Sequence, residues 1–437
     1  MDIVAHAYDT FKKVQLEQSS DLETYKNAKQ ELKNRLKKLD ELLNKKLYAS
    51  TVSEGSVKYD DWLKSHQPFH WLAEYYDIIN GNKGFDVIIG NPPYVEYSKI
   101  RNDYKVHNYV TIESGNLYSY VIERSLAIMK NGNYIGMIIP ISAFCTARME
   151  SLMKLFLTKT NCSYISNYAE RPSKLFEGAE RNLSIFISQI QTNIANSIIR
   201  TTYYYKWKAE HRNILFQRIS YFDVGEVATS SNFPKISCLS ELNILKELQS
   251  TKRNIGYYSV RNSGNTLYYK NSGGRYWKFM ATFKPLFYLN GLKSTSSRET
   301  HLYFETKTEL EVFTSILNNS LYFWYYVMNS DARTNNPSDL KDFPISYESI
   351  DEELIGHLKR LCVSLMQELQ NNAVMVDAVY RTGDVKFAQY LPAKSKPIID
   401  EIDKVLAKHY GFTEEELDFI INYDIKYRMG DELDNQE

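Results

Sequence analysis

The sequence predicts an α/β protein: N-terminal helices, part of a doubly wound sheet, a strand-rich α+β region and a helical C-terminal region. Three observations carry this. Phe85–Ile89 is a short continuous apolar run between Gly84 and Gly90, the pattern of a parallel strand buried on both faces. From Gly84 onward such runs alternate with helix-like stretches, as in half of a doubly wound sheet. After about residue 200 the alternation gives way to short runs separated by Asn262–Ser263–Gly264 and Gly273–Gly274, which read as turns.

Taken in order, residues 1–48 are helical and strongly charged. Leu22, Tyr25, Leu32, Leu36, Leu39 and Leu43 follow an a/d pattern interrupted at Lys29, too short for an independent coiled coil and suited to a packed helical hairpin. Ala49–Tyr59 is polar and reads as a loop, and Gln67–Asp77 is an aromatic lead into the first strand. After Phe85–Ile89 come a helix over Leu117–Met129, a strand over Tyr134–Ile139, a helix over about Ala147–Thr158, and strands over Ser163–Ala169, Leu183–Ile190 and Ile198–Tyr205. A single helix-like apolar stretch spans Leu310–Met328, and amphipathic helices cover Ile350–Asn371 and Ile398–His409. Thr413 and Glu416 form a capping box that opens the last helix.

The chain has 437 residues, room for two to four domains. No apolar run reaches the ~20 residues of a membrane span, and the N-terminus does not read as a signal peptide. Cys145, Cys162, Cys238 and Cys362 are dispersed, as in reduced structural thiols of a cytoplasmic protein. The histidines form no ligand cluster, so no metal site is expected. The net charge of zero conceals segregation. Residues 200–300 hold 16 Lys/Arg against 6 Asp/Glu, whereas 348–437 hold 10 against 19. The basic stretch is rich in rings (Tyr203, Tyr204, Tyr205, Trp207, Tyr257, Tyr258, Tyr268, Tyr269, Tyr276, Trp277). Basic side chains neutralise phosphates and rings can stack on bases, although rings in a β-rich region also belong to its core.

The tetrapeptide Asn91–Pro92–Pro93–Tyr94 follows the first strand, at the carboxyl end where open α/β sheets place ligands. An exocyclic adenine amine is a poor nucleophile because its lone pair is delocalised. Alkylating it requires acceptors for both N–H groups. The Asn91 side-chain oxygen is one, and the Pro92 carbonyl, stiffened by the ring constraints of two successive prolines, is a second. Tyr94 offers a face for an extruded base.

These residues resemble the gamma-class adenine-N6 DNA methyltransferases, most closely the type IIG restriction-modification methylases, over nearly the whole chain. NPPY matches the catalytic motif. Asn116–Leu126 and Gly132–Phe144 resemble the next two blocks, and Tyr168–Ser188 the motif before the last hairpin of the catalytic sheet. The resemblance implies that Phe176 lies against the flipped base opposite Tyr94, that S-adenosylmethionine is the methyl donor with Asn91 bordering its methyl group, and that double-stranded DNA is the partner. It implies four regions: a helical insert (1–60), the C-terminal half of the catalytic domain with the family sheet's fourth to seventh strands (61–200), a target-recognition domain (201–347) and a helical C-terminal region (348–437).

One departure stands out. The FxGxG-type loop that binds the donor in this family has no counterpart, since no two glycines of the chain are separated by one residue. The cofactor-binding residues are therefore unknown. The expectation is an incomplete chain that, alone, lacks the first three strands and most of the donor pocket: either the gene is split or truncated, or a second polypeptide supplies them. Two alternatives remain: a non-catalytic DNA-binding remnant or specificity module, and a methyltransferase acting on RNA or a protein glutamine, which carry the same tetrapeptide.

Overall fold

A computed structural model describes residues 2–17, 21–52, 57–103, 105–178, 180–191 and 196–430. They divide into two compact units. One comprises Met1–Met137, Leu155–Cys162 and Ile187–Asn196; the other comprises Ile138–Lys154, Ser163–Phe186 and Ser197–Glu437.

The first unit begins with helices Asp2–Leu16 and Leu22–Thr51. Asp21 starts the second of them by accepting from the Thr24 N–H at 2.7 Å, which satisfies one of the donors a helix leaves unpaired at its start. The expected hairpin forms: the Phe11 and Tyr25 rings meet at 5.6 Å. Leu32 is buried, with Leu36, Leu39 and Leu43 half-buried. The predicted loop over 49–59 is shorter than expected, because the helix continues to Thr51 and another runs over Tyr59–His66; residues 53–56 of it lie outside the described residues. Trp62 is buried on that helix and stacks on His66 at 5.4 Å.

Six strands form a mixed sheet: β1 (Phe85–Gly90), β2 (Met129–Pro140), β3 (Thr160–Tyr168), β4 (Leu183–Ile190), β5 (Ile198–Tyr205) and β6 (Phe222–Asp223), in the order β1-β2-β4-β3-β5-β6. The β1–β2 pair is parallel, with Ile88 opposite Ile135 and Gly90 opposite Met137. The helix Leu117–Ile128 connects them. Gly84 enters β1 at φ +126°, where an added Cβ would stand 2.5 Å from the Lys130 nitrogen, so no larger residue fits there.

β1 is parallel as expected but is not buried on both faces. It is the terminal strand of the sheet, and Val87 and Ile89 are 64% and 84% exposed. A continuous apolar run reports hydrophobicity, not the presence of a covering layer.

In the second unit, β3, β4 and β5 are tied by a buried polar network. Ser184 Oγ donates to Asn167 Oδ1 at 2.8 Å, and the Asn167 N–H donates to Thr202 Oγ1 at 3.0 Å. Beyond β6 come two four-stranded sheets. β7 (Ser259–Val260), β8 (Asn265–Lys270), β9 (Met280–Ala281) and β12 (Glu299–Phe304) form an antiparallel sheet ordered β7-β12-β8-β9. β10 (Phe287–Leu289) and β11 (Leu292–Lys293) join the late hairpin β13 (Val374–Tyr380) and β14 (Gly383–Gln389) in the order β11-β10-β14-β13. The C-terminal region is thus helical with an inserted hairpin.

The apolar stretch expected as one helix over 310–328 is two, Lys307–Leu317 and Ser320–Asn329. Asn318 and Asn319 break it. The Asn318 amide donates to the carbonyls of Met280 (2.9 Å) and Thr314 (2.8 Å), while Asn319 caps the next helix by accepting from the Tyr322 N–H at 2.7 Å. Side-chain amides that bond to the backbone compete with helix continuation. The helices Glu352–Asn371 and Lys396–Tyr410 follow, and the Thr413–Glu416 capping box opens the helix Glu414–Ile421 as expected.

Candidate active site

Asn91–Tyr94 leaves the carboxyl end of β1 as irregular chain, with Asn91 and Pro93 exposed, Pro92 buried and Tyr94 half-buried. Both ends are fixed. Gly90 pairs with Met137 across the parallel ladder. On the far side, the Leu117 N–H donates to Val95 O at 3.0 Å and the Tyr97 N–H to Gly115 O at 2.8 Å, around an antiparallel bridge between Glu96 and Asn116. Gly115 holds φ +61° at the end of the 3-10 turn Ile112–Ser114, a conformation that glycine adopts without cost. The tetrapeptide therefore lies between two backbone clasps, one on the sheet and one at the start of helix Leu117–Ile128.

The loop behind that clasp is held by a residue to which sequence reading assigned no role. Glu123 accepts from the N–H groups of Val110 (3.0 Å) and Thr111 (2.9 Å) and from the Thr111 hydroxyl (2.7 Å). Carboxylate acceptors for several N–H groups make strong, charge-assisted bonds. Glu123 belongs to the quoted block Asn116–Leu126, so the signal was present without its meaning.

Phe176 belongs to the second unit, on the loop between β3 and β4, and is 37% exposed. The loop is pinned beside it: Arg212 donates to Leu175 O at 2.7 Å and to Lys174 O at 3.1 Å, and Leu175 is buried. At the loop base the Glu170 N–H donates to Asn182 Oδ1 at 2.9 Å. An exposed ring on a fixed loop can present a face to a planar ligand. Tyr94 lies in the first unit, so each ring is placed only within its own unit.

No carboxylate is buried among the described residues of the first unit. No group of three or more His, Cys, Asp or Glu able to hold a metal occurs among the described residues, and no helix among them is long and apolar enough to cross a membrane.

The basic, aromatic middle reads differently in three dimensions. Tyr204, Trp207, Tyr258, Tyr269 and Trp277 are core, and Tyr203, Tyr205, Tyr268 and Tyr276 are half-buried. Only Tyr257 of the ten is exposed, with the Arg253 guanidinium 4.1 Å from its ring centroid. Part of the charge segregation is also internal pairing. Lys206 forms a buried ion pair with Asp424, which also accepts from the Tyr203 hydroxyl, and Arg253 pairs with Glu348. Burial pulls the Lys206 ammonium below its ordinary range, against the opposing pull of Asp424. The excess of basic residues in the middle thus overstates the cations free to meet a polyanion.

With this geometry in view, residues 7–176 match the Eco57I restriction-modification methylase family. A 93-residue stretch is 36% identical to a protein of Methanocaldococcus jannaschii described as a type II restriction enzyme and methyltransferase; it covers 21% of this chain and 8% of that protein. Among solved structures, the type IIL restriction-modification enzyme MmeI in complex with DNA aligns at 10% identity and TM-score 0.42, over 81% of this chain and 58% of that one. The type IIG restriction endonuclease BpuSI aligns at 11% identity and TM-score 0.24, over 77% and 52%. The chain is therefore similar to restriction-modification methylases over the stretch that contains Asn91–Tyr94 and ends on Phe176.

Proposed function

We propose that this chain is part of a site-specific DNA methyltransferase of a restriction-modification system, acting on the N6 amine of an adenine turned out of the duplex. S-adenosylmethionine is the methyl donor in this reading. The observation that carries it is the placement of NPPY directly after a sheet strand, clasped by backbone pairing on both sides, within the matched family stretch.

The chain's own residues act on the acceptor. Asn91 Oδ1 and the Pro92 carbonyl accept from the two N–H groups, and they hold the nitrogen as positive charge develops on it. Fixed acceptors need no reorganisation at that moment. Tyr94 offers a face to the ring, and Pro93 keeps the segment stiff; Phe176 is the second stacking residue that the family resemblance implies. The second unit supplies DNA contacts. A second reading, a DNA-binding module without catalysis, is favoured by the lack of an FxGxG-type loop in the sequence.

The test is the chain expressed with its native flanking sequence in a host lacking adenine methylation, with N6-methyladenine measured in duplex DNA. Asn91→Ala should lower the rate about 10²–10³-fold, with duplex affinity little changed. Unchanged methylation would refute the role of Asn91. Duplex binding without methylation by the wild type would establish the second reading.

A further inference from the structure

A cleft of ≈ 330 Å³ opens in the second unit among the β3–β4 loop, the segment around Arg275 and the segment around Arg333. It is at the lower end of the ~300–1,000 Å³ of ligand pockets. Its lining is strongly cationic: Arg171, Lys206, Arg275, Arg298 and Arg333, against one carboxylate, Glu170. Two of these cations are matched from outside the lining. Lys206 pairs with Asp424, and Arg171 lies 3.5 Å from the exposed Glu180. That leaves Arg275, Arg298 and Arg333 against the lining's one carboxylate, Glu170, which pairs with Arg275 and Arg333.

Glu170 organises the cleft. Its side chain is 5% exposed, and it holds Arg275 at 2.7 Å and Arg333 at 3.5 Å, whose own side chains are 45% and 51% exposed. Arg333 is fixed a second time by donating to Glu180 O at 2.6 Å. A buried carboxylate thus anchors two half-exposed guanidinium groups at the cleft and leaves each with further donors. Arg298 faces the same space, and no carboxylate stands within ion-pair distance of it among the described residues. The surrounding loops are knitted by two backbone bonds, Asn271 N–H to Arg298 O at 2.9 Å and Asn335 N–H to Asn271 O at 2.8 Å, and by the Asn182 side-chain amide donating to Asp331 O at 2.7 Å. The site is built before any ligand arrives.

We infer that this cleft receives a phosphodiester of the DNA strand, beside the loop that carries Phe176. Guanidinium forks match the planar pairs of oxygens on phosphate, and two unmatched positive charges exceed the single charge of one phosphodiester. A phosphate held here fixes the backbone next to the turned-out nucleotide, so the cleft sets register and not sequence. The inference rests on the DNA reading above and adds to it a location and a chemical role.

The experiment is duplex binding by the full chain over a series of salt concentrations. Arg298→Gln is the informative variant, because it leaves the Glu170 pairs intact, and Arg171→Gln is its companion; melting temperatures confirm that both fold. Losing one phosphate contact should shrink the slope of log affinity against log salt by about 0.9. Lys408→Gln, an exposed cation outside the cleft, should leave the slope as it is. In a scan with single neutral methylphosphonates, one position should weaken the wild type yet cost Arg298→Gln nothing further. Duplex binding with wild-type slope and affinity in both arginine variants would overturn the cleft assignment alone. No duplex binding by the wild type at any salt would overturn the DNA reading and this inference together. Calorimetry with inorganic phosphate covers a free-anion site: phosphate binding lost in Arg298→Gln, with the DNA slope unchanged, would replace the phosphodiester with a small anion.

Discussion

The two units treat charge in opposite ways. Among the described residues of the first, no acidic or basic side chain is buried, and the candidate acceptor Asn91 stands exposed on a segment held by backbone bonds. The second unit buries Glu170, Lys206, Lys235, Glu241, Lys278, Lys396, Asp403 and Arg428. Most of these have specific partners. Asp403 accepts from the N–H groups of Ser320 and Leu321 at the start of a helix, with burial pushing its carboxyl up to about 6. Glu241 accepts from the Trp324 indole at 3.0 Å, and Arg428 lies 3.9 Å over the Trp277 ring. The contrast teaches where chemistry and stability are coupled. In the first unit a side chain can be removed from the candidate site without exposing a buried charge. In the second, electrostatics is part of what holds the chain together.

The largest expected effect breaks a buried pair. Asp424→Asn keeps a residue type that tolerates the left-handed backbone there (φ +55°) but leaves the Lys206 ammonium buried without its counter-charge. That should cost about 3–5 kcal/mol in denaturant unfolding, while Asn91→Ala leaves the unfolding midpoint in place. Equal midpoints for the two variants would abolish the contrast.

A smaller effect of opposite sign is expected at Lys278. Its ammonium is buried, has no hydrogen-bond partner among the described residues, and lies 3.9 Å from the Tyr326 ring centroid; burial lowers its pKa from 10.5 to about 8. Between pH 8 and 10.5 the unfolded chain binds the proton that the folded chain has lost, so wild-type stability rises with pH across that window. Lys278→Met removes the cost of burying the charge. It should stabilise by about 1–3 kcal/mol below pH 8, and the gain should shrink toward pH 10.5. A gain that does not depend on pH would point to packing instead of charge.

The smallest effect probes ordinary capping. Thr413 Oγ1 accepts from the Glu416 N–H at 3.2 Å, and the Glu416 carboxylate accepts from the Thr413 N–H at 2.9 Å. Thr413→Ala should cost ~1 kcal/mol at any pH well above the carboxylate range. A loss as large as that of Asp424→Asn would show that the last helices depend on their caps more than on Asp424.

What could be read from the sequence was local. The strand at Phe85, the helix after Asn116 and the Thr413 capping box each have a signature within a few residues, and each forms in place. The break at Asn318–Asn319 was hidden because its cause is the Met280 backbone, far away in sequence. The hairpin Val374–Gln389 has a period of two in its second strand alone, where Val385 and Phe387 alternate with Asp384 and Lys386; the first strand, Val374–Tyr380, is nearly all apolar and gives no alternation to read. The exposed faces of β1 were unreadable because composition does not reveal what lies beside a strand. The charge surplus of residues 200–300 misled in a similar way, since part of its answer, Asp424 and Glu348, lies outside that stretch.

The shared sheet of β10, β11, β13 and β14 bears on any exchange of segments between related chains. Phe287 sits opposite Phe387 and Leu289 opposite Val385, so strands nearly a hundred positions apart are ladder neighbours. A transplant of the middle region alone would carry β10 and β11 away from their pairing partners and leave an open hydrogen-bonding edge in both donor and recipient, the kind of edge that invites aggregation. A segment exchanged in this architecture has to extend through Gln389 to keep that sheet whole, and a chimera spliced just before the helix Glu352–Asn371 would divide one sheet between two parents.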